Sequence, residues 1–385
     1  MAVFAAILIA PWLLALVLTP ATIRFAKRHD LLDRPSARKA HGSPVALLGG
    51  VAVYLSIVLG VALLLPFLPG LRGIALGSGS LSGLALGCGL MLALGVWDDV
   101  YDMSARWKLA GQVAIASLSF ALGFQVGAVE LPFGFDLSSA APVSFVVTVL
   151  WIVGVANAFN LIDGMDGLAS GVALITVLTV FLLANQEGAT VPVVAALALS
   201  GALAGFLRFN LPPARIFLGD AGALSIGYLT AVLSLASYQK SPAAVALIVP
   251  LLVLGLPALD TILAVVRRGL SHFSSRGAQG LSVRELIGAV ATADRGHLHH
   301  LLLRNGLPVG SALVVLYTVC LALAAIGFGT RGLATEIRFG LFAALLAAGF
   351  AGLRALERRA ARLEADAARA AGTGELAPVE HRAAG

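Results

Sequence analysis

Charged residues are scarce in this chain of 385 residues. Asp, Glu, Lys and Arg together make up 12% of it, whereas soluble domains contain about 25%. This composition excludes an ordinary soluble domain, and a hydrophobic content of 59% excludes an intrinsically disordered chain. Because a helix needs roughly 20 apolar residues to cross a bilayer, the combination indicates an all-α polytopic integral membrane protein.

Cysteine is also rare. Cys88 and Cys320 both lie inside apolar runs, so neither a disulfide framework nor a zinc site built on cysteines is predicted. No basic residue precedes the first apolar run, which argues against a cleaved signal peptide and favours a first permanent span. The net charge of +6 is typical of loop orientation in a membrane protein, and no nucleic-acid partner is expected.

Long apolar runs predict about eleven transmembrane helices. The runs lie near 3–23, 47–69, 81–97, 109–127, 142–159, 167–184, 190–207, 222–238, 243–266, 309–328 and 339–353. All but four of the 26 Lys and Arg residues fall in alternate loops and the C-terminal tail. By the positive-inside rule, the N-terminus lies outside and the C-terminus in the cytoplasm.

The sequence predicts one membrane domain with its chemistry on the cytoplasmic side. This domain, 1–353, carries the candidate active site on loops 24–46, 98–108, 157–167, 208–222 and 267–308. The remaining residues, 354–385, are predicted to form a basic cytoplasmic tail that begins as a helix and is partly disordered.

Loop 98–108 begins with the adjacent acids Asp98 and Asp99. Ionising two neighbouring carboxyl groups at the end of a membrane span costs free energy unless a cation lies nearby. Magnesium is the usual cation in such sites, held by one or two carboxylates and by phosphate oxygens. The alternative is a solvated acidic turn whose charge is balanced by Arg106 and Lys108.

Loop 157–167 carries a polar side chain at every third position. Asn157, Asn160, Asp163 and Asp166 would share one face of a helix end, and the glycines between them allow a ligand to approach the backbone. This pattern favours binding of a cation, or hydrogen bonds to a base and ribose. Simple helix capping is the alternative.

Loop 208–222 contains Asp220 between two glycines, directly before a span. Its carboxylate is placed to cap that helix and also to face a metal ion. Phe217 offers a flat face to a nucleobase, although an aromatic residue at the membrane interface would have the same appearance.

Loop 267–308 contains Arg295, His297, His299 and His300. No carboxylate or cysteine completes a tetrahedral zinc set at the usual spacing. Imidazoles beside arginines fit sugar hydroxyls or a diphosphate better.

Two further positions draw attention. Asp260 is an acid inside a span, where it has either a functional role or a structural ion pair with Arg267 or Arg268. In loop 24–46, Lys39 and His41 resemble a basic anchor for anionic headgroups.

Taken in order on alternate loops, these motifs resemble the polyprenyl-phosphate N-acetylhexosamine-1-phosphate transferase family, glycosyltransferase family 4. The resemblance covers about residues 30–305 and is carried by Asp98-Asp99, Asn160-Leu-Ile-Asp163-Gly-Met-Asp166-Gly, Phe217-Leu-Gly219-Asp220-Ala-Gly222 and His297-Leu-His299-His300. The segments Asp33-Arg-Pro-Ser-Ala-Arg38-Lys39-Ala-His41 and Pro257-Ala-Leu-Asp260-Thr also match.

Two details resemble the branch that uses UDP-N-acetylglucosamine. They are this chain's His-Leu-His-His spacing in loop 267–308 and the Asn-Ala-Phe-Asn start of loop 157–167. The peptidoglycan branch instead tends to carry three consecutive histidines in the first of these loops. One departure is Leu47, which stands where this branch usually has an arginine before Gly49-Gly50.

The resemblance implies a role for each candidate residue. Asp98 and Asp99 would be catalytic, and one of them would deprotonate or orient the lipid phosphate. Asp220 and Asp99 would hold Mg²⁺, with Mn²⁺ as an alternative because both ions accept the same oxygen ligands. The other implied contacts are uridine for Asn160, Asp163, Asp166 and Phe217, the sugar and diphosphate for Arg295, His297, His299 and His300, and the lipid phosphate or support of the first loop for Lys39 and His41.

The implied reaction moves N-acetylglucosamine-1-phosphate from UDP-N-acetylglucosamine to undecaprenyl phosphate and releases UMP. It would be the first membrane step of a cell-envelope polysaccharide, in the inner membrane of a bacterium, with a homodimer as one candidate assembly. The alternatives are a phospho-N-acetylmuramoyl-pentapeptide transferase and, more remotely, a secondary transporter. Transporters place charges near the bilayer midplane and often show repeats, whereas these acids lie mainly in loops.

Overall fold

A computed structural model describes residues 1–34, 44–77, 79–126, 141–237, 254–255, 298–330 and 332–370. These residues are mostly helical, as the sequence predicts. Numbered in order among the described elements, the helices are α1 (Ala2–Arg28), α2 (Gly49–Leu64), α3 (Pro69–Gly73), α4 (Leu81–Tyr101), α5 (Ala105–Ala121), α6 (Ala141–Ile162), α7 (Leu168–Gln186), α8 (Thr190–Asn210), α9 (Gly219–Ala236), α10 (Leu298–Arg304), α11 (Val309–Gly329) and α12 (Thr335–Ala370).

Eight of the described helices are long and apolar enough to cross a membrane: α1, α4, α6, α7, α8, α9, α11 and most of α12. This confirms an all-α polytopic membrane protein. Two further predicted spans coincide with shorter helices, the 16-residue α2 and the 17-residue α5. The predicted span 243–266 lies outside the described residues except for 254 and 255, so the number eleven and the orientation of the termini stay predictions.

Helix α9 lies at the centre of the bundle and is buried along almost its whole length. It packs between α4 and α6, and α8 packs between α1 and α7. Small residues allow these close approaches, as is common between membrane helices. A side chain at Gly95 of α4 would collide with the backbone of Ala221 in α9, and one at Gly227 would lie 2.8 Å from Ala156 in α6.

A short antiparallel pair of strands joins two of the predicted active-site loops. Strand β1 (Leu32–Asp33) pairs with β2 (Val45–Ala46), and Ala46 also bridges to Ile216 in the loop between α8 and α9. Phe217 N donates to Ala46 O at 2.9 Å, and Gly49 N donates to Phe217 O at 3.0 Å. The start of α2 is thereby held against the start of α9.

Helix α12 is a single helix of 36 residues, which corresponds to a length of about 54 Å. The predicted division between membrane domain and tail, at 353/354, falls inside it without a break. The first part of the predicted tail is therefore helical up to Ala370, as expected, and the rest, 371–385, lies outside the described residues.

Candidate functional site

Four side chains from four helices form a compact group that we call the acid–lysine cluster: Asp98, Lys108, Asn160 and Asp220. Lys108 Nζ lies 2.7 Å from Asp98 Oδ2 and 2.6 Å from Asp220 Oδ2. Asn160 Nδ2 donates to the other Asp220 oxygen at 2.5 Å, and Lys108 Nζ donates to Asn160 Oδ1 at 3.4 Å. Asp98 and Lys108 are largely buried, with 8% and 16% of their side chains exposed. The ends of α4 and α6 and the starts of α5 and α9 therefore meet at one point.

Asp99 holds the first turn of α9. Its two carboxylate oxygens accept hydrogen bonds from the backbone N–H groups of Asp220, at 2.8 Å, and Ala221, at 3.1 Å. A carboxylate is favourable at this end of a helix because the first amides have no partner within the helix. Gly219 has φ +69, and a Cβ there would lie 2.6 Å from Asp99 Oδ2. Glycine at this position meets both the backbone conformation and the close approach of the carboxylate.

Asp163 lies in the turn between α6 and α7, half-buried. Burial, together with the negative charges of Asp220, Asp99 and Asp166, raises its pKa to about 8. Among the described residues, the acidic side chains that influence this turn, Asp99, Asp163, Asp166 and Asp220, outnumber the lysine that is paired there, Lys108. Such a surplus is typical of a site that receives a cation or a positively charged group of a ligand.

Asp166, in the same turn, connects to the loop after α8. Its Oδ2 accepts a hydrogen bond from Ala214 N at 2.9 Å. Asn210, at the end of α8, donates to Ile216 O and accepts from the Ser170 hydroxyl of α7. These contacts hold loop 208–222 beside loop 157–167, and they leave Phe217 half-buried at the junction.

The turn 163–167 also contacts two residues from the C-terminal part of the chain. Tyr317 of α11 donates its hydroxyl proton to Gly167 O at 2.6 Å. His299 of α10 is 3% exposed, and its Nε2 lies 2.6 Å from where a Cβ at Gly164 would be. The ring of His300 packs on that of His299, with centroids 4.1 Å apart. The predicted histidine motif therefore lies directly beside the predicted nucleotide motif.

Several predicted site residues lie outside the described residues: Lys39, His41, Asp260, Arg295 and His297. Their roles stay predictions. The other candidates belong to loops or helix ends that contact one another through the hydrogen bonds, close approach and ring packing described above. They are Asp98, Asp99, Asn160, Asp163, Asp166, Phe217, Asp220, His299 and His300.

The sequence interpretation gave Lys108 only the part of a balancing charge, whereas the structure places it at the centre of the cluster. An unpaired ammonium group in the first turn of an apolar helix costs free energy, so a lysine there is expected to have an acidic partner. That expectation could have identified Lys108 as a site residue. Asn157 faces α5 as Asn160 does, and its amide pairs reciprocally with Gln112 of α5, at 2.7 and 3.3 Å. Nothing in the local sequence indicates Tyr317 as a partner of Gly167.

The chemistry of these oxygens fits a hard divalent cation. Carboxylates from Asp98, Asp163 and Asp220 supply the ligand type that Mg²⁺ prefers, and the surplus negative charge around Asp163 favours one. Each Asp99 oxygen keeps a second lone pair beyond its backbone contact. In the part of the chain that the structure describes, no three His, Cys, Asp or Glu side chains are grouped as ligands of one ion.

Comparison with known proteins shows which family the chain is similar to. The model of glycosyl transferase family 4 matches residues 80–238, which include the whole acid–lysine cluster. The chain is 32% identical over 307 residues to a probable undecaprenyl-phosphate N-acetylglucosaminyl 1-phosphate transferase of Bacillus subtilis, covering 80% of this chain and 79% of that protein.

Two other relatives are similar over most of their lengths. A decaprenyl-phosphate N-acetylglucosaminephosphotransferase of Mycobacterium tuberculosis is 33% identical over 87% of this chain and 84% of its own. An undecaprenyl-phosphate alpha-N-acetylglucosaminyl 1-phosphate transferase of Thermotoga maritima is 30% identical over 66% of this chain and 72% of its own. With its cluster of acids inside the matched region, the chain belongs to glycosyl transferase family 4.

Proposed function

We propose that this protein transfers N-acetylglucosamine-1-phosphate from UDP-N-acetylglucosamine to undecaprenyl phosphate. An oxygen of the lipid phosphate forms a bond to the phosphorus nearest the sugar, the bond from that phosphorus to the UMP oxygen breaks, and UMP leaves. The products are a lipid diphosphate bearing N-acetylglucosamine and UMP. The names of the relatives support both the donor sugar and the polyprenyl acceptor.

The acid–lysine cluster is the observation that carries this proposal. The reaction brings together two anions, a lipid phosphate and a diphosphate, so the site needs cations and hydrogen-bond donors. Lys108 is held between Asp98 and Asp220, and this fixes an ammonium group at the point where α4, α5, α6 and α9 meet. Its position is set before substrate arrives, which is the arrangement that stabilises developing charge most effectively.

The neighbouring residues support a nucleotide on one side and a sugar on the other. We assign the uridine to the region of Asn160, Asp163, Asp166 and Phe217, at the junction of the turn 163–167 with loop 208–222. His299 and His300, which lie against that turn, are assigned to the sugar and diphosphate together with Arg295 and His297. Lys39 and His41 are assigned to the lipid phosphate.

A strong general base is not required. The second pKa of a phosphate ester is about 6, so the lipid phosphate is already a dianion near pH 7. Asp98 is therefore assigned to orient the acceptor and Lys108. This favours direct in-line attack, and an isolable phosphorylated aspartate would contradict it.

We further propose that Mg²⁺ is required, with Asp220 and Asp99 as ligands and Asp163 close by. When bound, the ion would offset the repulsion between the two substrates and stabilise the charge on departing UMP.

The same proposal places the enzyme in the inner membrane of a bacterium, with the N-terminus outside and the C-terminus in the cytoplasm. It also includes self-association to a homodimer, which light scattering after size-exclusion chromatography tests.

The direct test is a transfer assay on purified full-length protein in detergent. Undecaprenyl phosphate, MgCl₂ and UDP-N-acetylglucosamine labelled in the sugar are supplied, and lipid-extractable label and UMP are measured. We expect both products in equal amounts, and we expect both to disappear with EDTA and with Asp220→Ala. Transfer only from UDP-N-acetylmuramoyl-pentapeptide would support the peptidoglycan alternative, and no transfer from any UDP-sugar by folded protein would refute the proposal.

A further inference from the structure

The C-terminal half of α12 packs against α10, the helix that carries His299 and His300. Arg304, the last residue of α10, donates from Nε and from one terminal guanidinium nitrogen to Glu364 Oε1, at 3.0 and 2.9 Å. These residues are 60 positions apart in sequence. Both side chains are partly exposed, with 40% and 28% of their surfaces accessible, so this ion pair alone is a weak tie.

A buried amide makes a second connection between the two helices. Asn305 is 6% exposed, and its Nδ2 donates to Leu301 O at 2.8 Å within its own turn and to Leu356 O of α12 at 3.1 Å. A buried amide that loses its partner costs more than an exposed one, which makes this contact specific for one relative position of the helices.

Apolar residues of both helices are buried close in sequence to these contacts. Leu353 and Ala360 of α12 are 2% and 0% exposed, and Leu301 of α10 is 0% exposed. Positions 353, 356, 360 and 364 follow the three- and four-residue spacing of one helical face. The ion pair, the amide contact and the buried apolar residues therefore lie along a single stripe of α12.

The described part of α10, Leu298–Arg304, contacts α12 on one side. Its position therefore depends in part on this tertiary contact. On its other side, His299 is pressed against Gly164 in the turn 163–167. A shift of α10 away from α12 would therefore move His299 relative to the acid–lysine cluster and the nucleotide motif.

We infer that the segment from Leu353 to Glu364 is a strut that holds the histidine helix in its working position. Arg304, Asn305 and Glu364 are then positioning residues, which act on the reaction through His299 and His300. The catalytic part of this inference rests on the proposed function. The inference gives a positioning role to the beginning of the segment 354–385, for which the sequence predicts only a basic cytoplasmic tail.

The test compares Glu364→Ala with Asp366→Ala in full-length protein. Asp366 lies on the same helix, and its ion pair is with Arg369 of α12 itself, so its removal does not touch α10. Hydrogen–deuterium exchange is measured in peptides that contain residues 298–305. Steady-state kinetics give kcat/KM for UDP-N-acetylglucosamine and the inhibition constant of UMP. Glu364→Gln replaces the alanine variant if the latter is not monodisperse.

We expect Glu364→Ala to raise exchange in 298–305 and to lower kcat/KM roughly five-fold, the scale of a partly exposed ion pair. UMP inhibition should weaken less than kcat/KM falls, because UMP lacks the sugar and keeps the uridine contacts, which are assigned to residues outside α10. The double variant Arg304→Glu with Glu364→Arg should restore both quantities, and Asp366→Ala should resemble the wild type.

Unchanged hydrogen–deuterium exchange of residues 298–305 in Glu364→Ala would refute the inference that α12 holds α10 in position. Raised exchange with unchanged kcat/KM would overturn its role in positioning the histidines. A wild-type protein without transferase activity would instead refute the proposed function, and the exchange experiment would still decide whether α12 holds α10, so the two failures are distinguishable.

Discussion

Asp99 caps the first turn of α9, which contains Asp220: its two oxygens accept hydrogen bonds from the N–H groups of Asp220 and Ala221 at 2.8 and 3.1 Å. Its neighbour Asp98 instead accepts from Met103 N at 2.8 Å and pairs with Lys108. The two adjacent aspartates therefore have different tasks. One aligns α9 so that Asp220 faces the cluster, and the other is part of the cluster.

This difference predicts different outcomes for substitution of Asp99 and of Asp98. Asp99→Ala removes two hydrogen bonds from buried amides, so we expect a loss of about 2 kcal/mol in unfolding free energy together with a loss of transfer. Asp98→Asn should abolish most transfer while the melting temperature in detergent stays within a few degrees of the wild type. Equal melting temperatures for both variants would contradict the capping role of Asp99.

Lys108 provides a second prediction. Lys108→Met removes the ammonium group between Asp98 and Asp220, and we expect transfer to fall by about 10²-fold, as on removal of a preorganised electrostatic donor. Arg106→Met is the matched control, because Arg106 is exposed on the same helix and lies only two residues away. Activity in the control should be within about two-fold of wild type, and a similar loss in both variants would mean that net loop charge matters rather than the position of Lys108.

The conformation at Gly219 predicts that alanine is not tolerated there. Gly219→Ala places a Cβ at φ +69 and 2.6 Å from Asp99 Oδ2, so it should cost about 1–3 kcal/mol and displace the Asp99 carboxylate. Gly154→Ala in α6 is the control, since a Cβ there meets no atom within 4 Å. The melting temperature should fall in the first variant and stay equal or rise in the second; equal falls would argue against a special backbone at 219.

The raised pKa of Asp163 predicts a pH-dependent stability. In the folded protein this carboxyl titrates at about pH 8, whereas in the unfolded chain it titrates near 4. Between these values the folded state binds more protons than the unfolded state, so stability falls as pH rises. The melting temperature of metal-free protein should decrease from about pH 5 to pH 8.

The variant Asp163→Asn should flatten this decrease, whereas Asp102→Asn, at an exposed carboxyl of loop 98–108, should leave it in place. Added MgCl₂ should stabilise the wild type more at pH 8 than at pH 5, because a cation favours the ionised carboxylate. A pH profile that is the same in wild type and Asp163→Asn would contradict the assignment.

The turn 163–167 illustrates how far local sequence predicts this site. The Asn/Asp spacing and the glycines predict a ligand-binding turn, and ligand binding there stays a prediction. The structure shows Asp163 of this turn half-buried near other carboxylates. The partners of the turn were not predictable, since Tyr317 is 150 residues from Gly167 and His299 reaches Gly164 from another helix. Contacts of this kind depend on which helices become neighbours, and apolar helices of similar composition do not specify their neighbours locally.

Asn157 shows a second case. It shares the side of α6 that faces α5 with Asn160, as the spacing predicts, since Asn160 contacts Lys108 and Asn157 contacts Gln112 of α5. The partner Gln112, 2.7 Å from its amide, was not predictable. Leu353 shows a third case, because the predicted end of the membrane domain falls there and the helix continues to Ala370.

By itself, the sequence determined that this is a helical membrane protein, where most of its helices lie, and which loops carry its acids and histidines. Those conclusions follow from hydropathy, since a backbone in hydrocarbon must satisfy its hydrogen bonds within helices. Tertiary structure alone decided that Lys108 joins Asp98 to Asp220, that Asp99 caps α9, and that α12 supports α10. Each of these depends on the approach of segments separated by 10 to 122 positions in the chain, and helix packing rather than local composition sets that approach.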